Sequence, residues 1–162
     1  MAEERSPAET ALRDEAFLSQ LNRYGQLALS PEGGSMYPML HGAGDAVVLA
    51  RPTAALRRLD VALYRNDHGE YVLHRVLCFE PEGVVFCGDG RLTADPPVAP
   101  GRVLAVMTEF RRNGRVIRAQ SLPYRAYARL WCLSLRLRRW LLRACYGANA
   151  LKKRLRGEKK RA

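Results

Sequence analysis

The spacing of apolar positions divides the chain into a helical start, a middle of short strands and a helical end. Over residues 9–24 the apolar side chains Phe17, Leu21 and Tyr24 recur at helical spacing, which predicts an amphipathic helix. From Asp45 to Met107 the apolar runs are short, and turn residues separate them. The predicted strands are 46–49, 60–64, 71–77, 84–87 and 103–106.

Many short strands joined by tight turns favour a mainly β fold with an antiparallel, barrel-like sheet. Asn113-Gly114 predicts one more hairpin, between short strands at 108–110 and 116–117. We therefore expect an N-terminal helical segment over 1–30 and a β domain over 31–120. A basic amphipathic helix and a disordered tail are expected over 121–162.

After Pro123 the chain has helical periodicity with two distinct faces. The apolar positions are Leu130, Leu133, Leu137, Trp140 and Ala144, and the basic positions are Arg129, Arg136, Arg139 and Arg143. This pattern predicts a helix that packs on the sheet through its leucines and exposes its arginines.

The net charge of +11 is concentrated at one end of the chain. Residues 121–162 carry a net charge of +12, whereas residues 1–120 carry −1. A basic amphipathic helix with interfacial aromatics suits an anionic membrane surface, through residues 125–156. The same charge also permits nonspecific contacts with nucleic acid phosphates. We favour a docked helix with membrane-surface affinity over a nucleic acid partner.

The N-terminus lacks the apolar core of a signal peptide, and no run approaches the ~18 apolar residues of a membrane span. We therefore expect a cytoplasmic protein, with a peripheral position on the inner face of the membrane as the alternative. The four cysteines (Cys78, Cys87, Cys132 and Cys145) lack metal-ligand spacing. They are expected to be reduced core residues, although a Cys78–Cys87 disulfide is conceivable. No metal or organic cofactor is implied.

Ser35 is the candidate nucleophile. It follows Gly33-Gly34, which relax the backbone and allow a carbonyl substrate to approach closely. Pro38 disfavours continuation into a helix, so the serine is expected in a turn. A hydroxyl needs a neighbouring base before it becomes an effective nucleophile. A plain Gly-Gly-Ser surface turn is the alternative interpretation of these residues.

His74 is the candidate base, because it lies within the apolar strand 71–76, where an imidazole can be held rigidly. His41 and His68 stand beside glycines in predicted loops and are weaker candidates. A lysine base is excluded from the β domain, since the first of the four lysines is Lys152. A buried lysine would be required to lower its pKa enough for base chemistry.

The string Gly-Ser-Met-x-Pro-x-Leu at 34–40, the strand 71–76 and Gly88-Asp89-Gly90 together resemble the S24/S26 superfamily of serine peptidases. The resemblance is to signal peptidases of the Ser-His type found in the endoplasmic reticulum and in archaea. It implies that Ser35 attacks the scissile carbonyl, and that His74 takes its proton. A carboxylate then orients His74, for which we prefer Asp89 to Asp95.

The resemblance covers about residues 33–107 and includes the Gly44-Asp45 and Leu59-Asp60 elements, whose aspartates are expected to be turn or cap residues. The chain departs from the family in three places. Gly33 replaces a common oxyanion-hole serine, Leu59 replaces a glycine, and an N-terminal membrane anchor is missing. The predicted function is a serine endopeptidase acting on a peptide or protein substrate. The alternative is a non-catalytic module on the same scaffold that binds peptides or a membrane surface.

Overall fold

A computed structural model describes residues 7–42, 44–133 and 138–143 of the chain. The helices are α1 (Pro7–Tyr24) and α2 (Leu122–Trp131), and a short 3-10 helix covers Pro100–Arg102. The strands are β1 (Gln26–Leu29), β2 (Ala46–Ala50), β3 (Val61–Arg65), β4 (Tyr71–Glu80), β5 (Gly83–Cys87), β6 (Val103–Arg112) and β7 (Arg115–Arg118). The predicted mainly β fold is confirmed.

The seven strands form one antiparallel sheet with the order β1-β2-β6-β3-β4-β5, and β7 pairs with β6. Within the described part of the chain β1 and β5 do not pair, so the sheet is open and not a closed barrel. The antiparallel arrangement predicted from the short runs is correct. The barrel-like closure is not observed, because no strand joins the two ends of this order.

Each predicted strand overlaps an observed one, and two differences in the sheet stand out. The segments predicted at 103–106 and 108–110 are one continuous strand, β6, which then turns at Asn113-Gly114 into β7. Strand β1 was not predicted from the sequence. It pairs with β2 alone and lies at one end of the sheet.

Each face of the sheet carries its own apolar cluster. One cluster joins Leu21 of α1 and Tyr124 of α2 to strand residues such as Leu49 and Leu63. The other lies on the opposite face and contains Ala62, Tyr64, Val76, Val84, Phe86 and Val98. Alternation along β3 explains this arrangement, because Ala62 and Tyr64 point to one face and Leu63 to the other.

Helix α2 docks on the sheet, but the face that packs differs from the predicted one. Its buried residues are Tyr124, Ala128 and Trp131, whereas Leu130 and Leu133 are 57% and 69% exposed. Trp140 is 68% exposed, and Arg138 is buried. The predicted leucine face was therefore wrong. The aromatic side chains bury more apolar area than leucines, and their polar groups form hydrogen bonds in the core. In addition, α2 ends at Trp131, so the helical periodicity predicted beyond this point does not belong to one helix.

Cys78, Cys87 and Cys132 are free thiols, so the conceivable Cys78–Cys87 disulfide is absent. Of these three cysteines, Cys87 alone is buried and Cys78 is exposed, which corrects the prediction that all are core residues. Cys145 and the predicted tail lie outside the described residues. None of the described helices is long and apolar enough to cross a membrane.

Candidate functional site

Ser35 lies in a turn between β1 and β2 that is anchored by its apolar neighbours. Met36, Met39 and Leu40 are buried in the core, whereas Ser35 is half-buried. The Leu40 N–H donates to the Met36 carbonyl at 3.0 Å and closes the turn. Gly33 has a φ of 77°, a left-handed conformation that other residues rarely adopt. The buried side chains therefore anchor the turn in the core and leave Ser35 partly exposed.

His74 lies on β4 opposite Ala62 of β3, and its side chain is 2% exposed. Its neighbour Arg75 points to the other face of the sheet, as alternation along a strand requires. The ring of Tyr64 meets the imidazole edge-on, with the ring centroids 6.4 Å apart. Packing on a strand thus fixes the imidazole, as the sequence predicted.

Asp95 is the carboxylate that contacts His74. Its Oδ2 lies 2.5 Å from His74 Nδ1, and the same oxygen accepts a hydrogen bond from the Tyr64 hydroxyl at 2.9 Å. An ionised carboxylate here can only accept, so Nδ1 carries a proton. The neutral ring then leaves Nε2 unprotonated, and Nε2 can take a proton from a nucleophile.

The charge on Asp95 is set by these partners. Burial alone would raise the pKa of Asp95, but the hydrogen bonds from His74 and Tyr64 and the nearby Arg91 lower it below its usual value. Asp95 is therefore ionised at neutral pH. Its contribution to stability is present above the unfolded pKa and is lost as the pH falls through the lowered pKa. Burial, followed by the charge of Asp95, raises the pKa of Tyr64, which remains a neutral donor.

The preference for Asp89 as the carboxylate that orients His74 was wrong. Asp89 is fully buried on the other face of the sheet, where Arg75 binds it through two hydrogen bonds of 2.7 Å. The Tyr127 hydroxyl donates to the same carboxylate at 3.2 Å, and the Trp131 indole donates to the Asp89 carbonyl at 3.0 Å. Asp89 therefore ties the sheet to α2.

The Ser35 backbone and the His74 ring both lie against Gly88. A Cβ built on Gly88 would lie 2.4 Å from the Ser35 carbonyl oxygen and 2.9 Å from His74 Nε2. The Gly90 N–H donates to the same Ser35 carbonyl at 2.8 Å. The glycines of the predicted Gly-Asp box thus bring the serine turn against the histidine. Ser35 and His74 share no hydrogen bond here, and such catalytic contacts often tighten only when substrate binds.

A groove of about 620 Å³ opens over Ser35 and His74. Its lining includes the residues Leu29–Gly33 and Tyr71–Leu73. The Val76 N–H donates to the Asp60 carbonyl. Because backbone groups alternate in direction along a strand, the N–H and C=O groups of the even-numbered β4 residues up to Val76 point towards β3. Strand β5 pairs with β4 only from Arg75 onward. The N–H and C=O of Leu73 therefore point to an open edge beside the groove.

The remaining sequence candidates lie elsewhere. His41 contacts Arg112 at 2.7 Å and His68 is in the exposed β3–β4 turn, so neither lines the groove. Asp45 and Asp60 accept the N–H groups of His41 and Arg57, which confirms their turn roles. Among the described residues no group of three or more His, Cys, Asp or Glu side chains could hold a metal ion.

Gly88→Ala is expected to lower the activity of the site strongly, because the new methyl group would overlap the Ser35 carbonyl. Separation of the serine from the histidine by about 1 Å should lower the rate on the order of 100-fold. Gly101→Ala is the matched control, since a Cβ there would meet nothing within 4 Å. Equal activity of both variants would show that the Gly88 contact does not position the serine.

Sequence reasoning missed two residues that shape the site. Tyr64 was assigned only to a strand, and nothing in its pattern indicated a hydrogen bond to Asp95, 31 residues away. Arg75 was included only as part of the strand around His74. A charged residue within a mainly apolar strand is a signal of a buried partner, because an unpaired buried charge is very costly.

No protein-family model and no curated protein matches this chain. The function proposed below therefore depends on the residues and the geometry of the site.

Proposed function

We propose that this chain is a serine endopeptidase of the signal-peptidase type. Ser35 is its nucleophile, His74 its general base, and Asp95 the residue that orients His74. The observation that carries the proposal is the contact of 2.5 Å between Asp95 and His74 Nδ1. It directs Nε2 towards Gly88 and the Ser35 turn, in one groove with the serine. A serine nucleophile, a histidine base and an orienting carboxylate together form the catalytic triad that serine peptidases use for acyl transfer.

The reaction proceeds through an acyl-enzyme. His74 Nε2 takes the proton of Ser35 Oγ as the oxygen attacks the scissile carbonyl carbon. The protonated ring then donates this proton to the leaving amine as the peptide bond breaks. A water molecule, deprotonated by His74, attacks the ester and regenerates Ser35. The Ser35 N–H has no acceptor among the described residues, which leaves it for the developing oxyanion.

The substrate is an extended peptide that binds along the open edge of β4. The Leu73 N–H and C=O supply a donor and an acceptor for such a strand. Below this edge the groove is lined by the apolar side chains of Leu29, Met36, Leu40 and Leu63. This lining favours small or apolar side chains next to the cut. The resemblance to signal peptidases likewise implies small residues before the cleaved bond.

The Leu59 backbone supports the resemblance at a position where the sequence departs from it. Signal peptidases usually carry glycine there, and Leu59 has a φ of 77°, in the left-handed region that glycine adopts without strain. The local backbone therefore has the conformation that the family residue would favour. The leucine retains it because its N–H donates to Val76 and its carbonyl accepts from Arg75.

The test is cleavage of a mixed library of synthetic peptides, with the products identified by mass spectrometry. We expect the wild-type chain to cut after small residues and Ser35→Ala to produce no cut at the same sites. Binding of peptides without cleavage by wild type would contradict the endopeptidase proposal. That result would instead favour the non-catalytic peptide-binding module on the same scaffold.

A further inference from the structure

A second groove, of about 690 Å³, lies between the loop before β3 and helix α2. Its lining includes the five arginines Arg51, Arg57, Arg58, Arg125 and Arg129, which we call the arginine groove. Asp60 is the one acidic residue in this lining, and its carboxylate accepts the Arg57 N–H. The groove therefore carries a large excess of positive charge and is suited to an anionic ligand.

Three of these arginines are free to meet such a ligand. Arg51 donates to Asn22 and Arg58 donates to the Leu77 carbonyl. The side chains of Arg57, Arg125 and Arg129 are exposed and bond to no residue in the described part of the chain. A cation without a partner gains more from an arriving anion than one already engaged in an ion pair.

The outer face of α2 adds apolar side chains next to these arginines. Leu122 and Leu130 are 80% and 57% exposed, and Leu133 directly after the helix is 69% exposed. These leucines lie on the opposite side of the helix from the buried Tyr124, Ala128 and Trp131, among Arg125 and Arg129. Exposed leucines beside arginines are the composition of helices that lie in a membrane interface.

We propose that the outer face of α2 and the arginine groove dock this chain on an anionic phospholipid surface. The arginines of the groove bind the phosphate headgroups, and Leu122, Leu130 and Leu133 enter the boundary of the acyl chains. The charge along the sequence is complementary to such a surface, because no acidic residue occurs between Glu109 and Glu158. This docking is independent of the chemistry proposed for Ser35.

The exposed leucines favour a lipid over a nucleic acid as the anionic partner. Nucleic acid binding to a basic groove depends on phosphate contacts and on stacking by aromatic side chains. In α2, however, Tyr124 and Trp131 are buried against the sheet and cannot stack on bases. The large apolar side chains that α2 exposes are Leu122 and Leu130, which gain free energy from entering an apolar phase.

The test is cosedimentation of the full chain with phosphatidylcholine vesicles, with and without phosphatidylglycerol. We expect binding only to the anionic vesicles, and it should weaken as salt is added. Arg125→Gln combined with Arg129→Gln should weaken binding about 30-fold. Leu122→Ser combined with Leu130→Ser should weaken it about 10-fold or more. All four side chains are exposed, so these changes should leave the fold intact.

The matched control is Arg111→Gln combined with Arg115→Gln, which removes the same charge from exposed positions outside the groove. An equal loss of binding in the two arginine variants would overturn the proposal, because general charge would then account for it. Unchanged binding of the leucine variant, together with tight binding of a single-stranded oligonucleotide, would also overturn it in favour of nucleic acid. Ser35→Ala should bind vesicles like the wild type, which separates this test from that of the peptidase.

Discussion

Asp95→Asn is expected to lower kcat for peptide hydrolysis by about 10⁴-fold while the fold remains intact. The carboxylate accepts the Nδ1–H of His74 at 2.5 Å. An asparagine amide donating to Nδ1 would favour the opposite tautomer, with the proton on Nε2. That nitrogen could then no longer take the proton from Ser35. Because the proposed substrate site runs along β4 and does not include Asp95, KM should change little.

The matched comparison is Tyr64→Phe, which removes the hydrogen bond from the Tyr64 hydroxyl to Asp95 but leaves the carboxylate in place. This variant should keep most of its activity. Steady-state hydrolysis of a cleaved peptide separates kcat from KM for both variants. A loss in Tyr64→Phe as large as that in Asp95→Asn would show that Asp95 acts only through local packing. A loss of less than 10-fold in Asp95→Asn would contradict the orienting role.

Asp89→Ala is expected to lower the free energy of unfolding by about 3–5 kcal/mol, because it leaves the Arg75 guanidinium buried without its counter-ion. Both side chains are fully buried. Arg75 also donates to the Leu59 carbonyl, the Tyr124 hydroxyl and the Met39 sulfur. The pair therefore connects the loop before β3, the serine turn and α2. Its loss should loosen all three together.

Urea unfolding followed by circular dichroism measures this effect. The control is Asp67→Ala, which breaks the exposed pair between Asp67 and Arg102. Exposed pairs contribute little because water screens them, so the unfolding midpoint of this variant should hardly move. Equal midpoints for the two variants would contradict the structural role assigned to Asp89. Asp89→Ala and Asp95→Asn thus separate loss of stability from loss of catalysis.

The strands around the site were predictable because their signals are local. Strand β4 is a mainly apolar run that His74 and Arg75 interrupt, and turn residues bound it on both sides. Ser35 stands out for a similar reason, since two glycines and a proline mark its turn within six residues. In both cases the side chain pattern and the backbone preference of neighbouring residues indicate the same structure.

The choice between Asp89 and Asp95 could not be made from the sequence. Both follow the same strand within eight residues, and both are flanked by turn residues. What separates them is the face of the sheet that each carboxylate reaches, and this depends on how the loop after β5 folds back. The Asp95 N–H donates to the Phe86 carbonyl, which returns the loop to the His74 side. Such a long-range contact leaves no periodic signal.

The packing of α2 was mispredicted because periodicity alone does not say which face is buried. Leucines and arginines alternate at helical spacing, but the side chains that pack are Tyr124 and Trp131. Both have a polar group that finds a buried partner, in Arg75 and in the Asp89 carbonyl. Amphipathic aromatics can therefore replace leucines in a core that contains a buried ion pair.

The most direct test of the account is the rate at which Ser35 is acylated by a fluorophosphonate probe, with the labelled residue located by mass spectrometry. We predict that the wild-type chain is labelled at Ser35, and that labelling falls at least 100-fold in His74→Ala and disappears in Ser35→Ala. A folded wild-type chain that reacts no faster than His74→Ala would contradict the claim that His74 and Asp95 activate this serine.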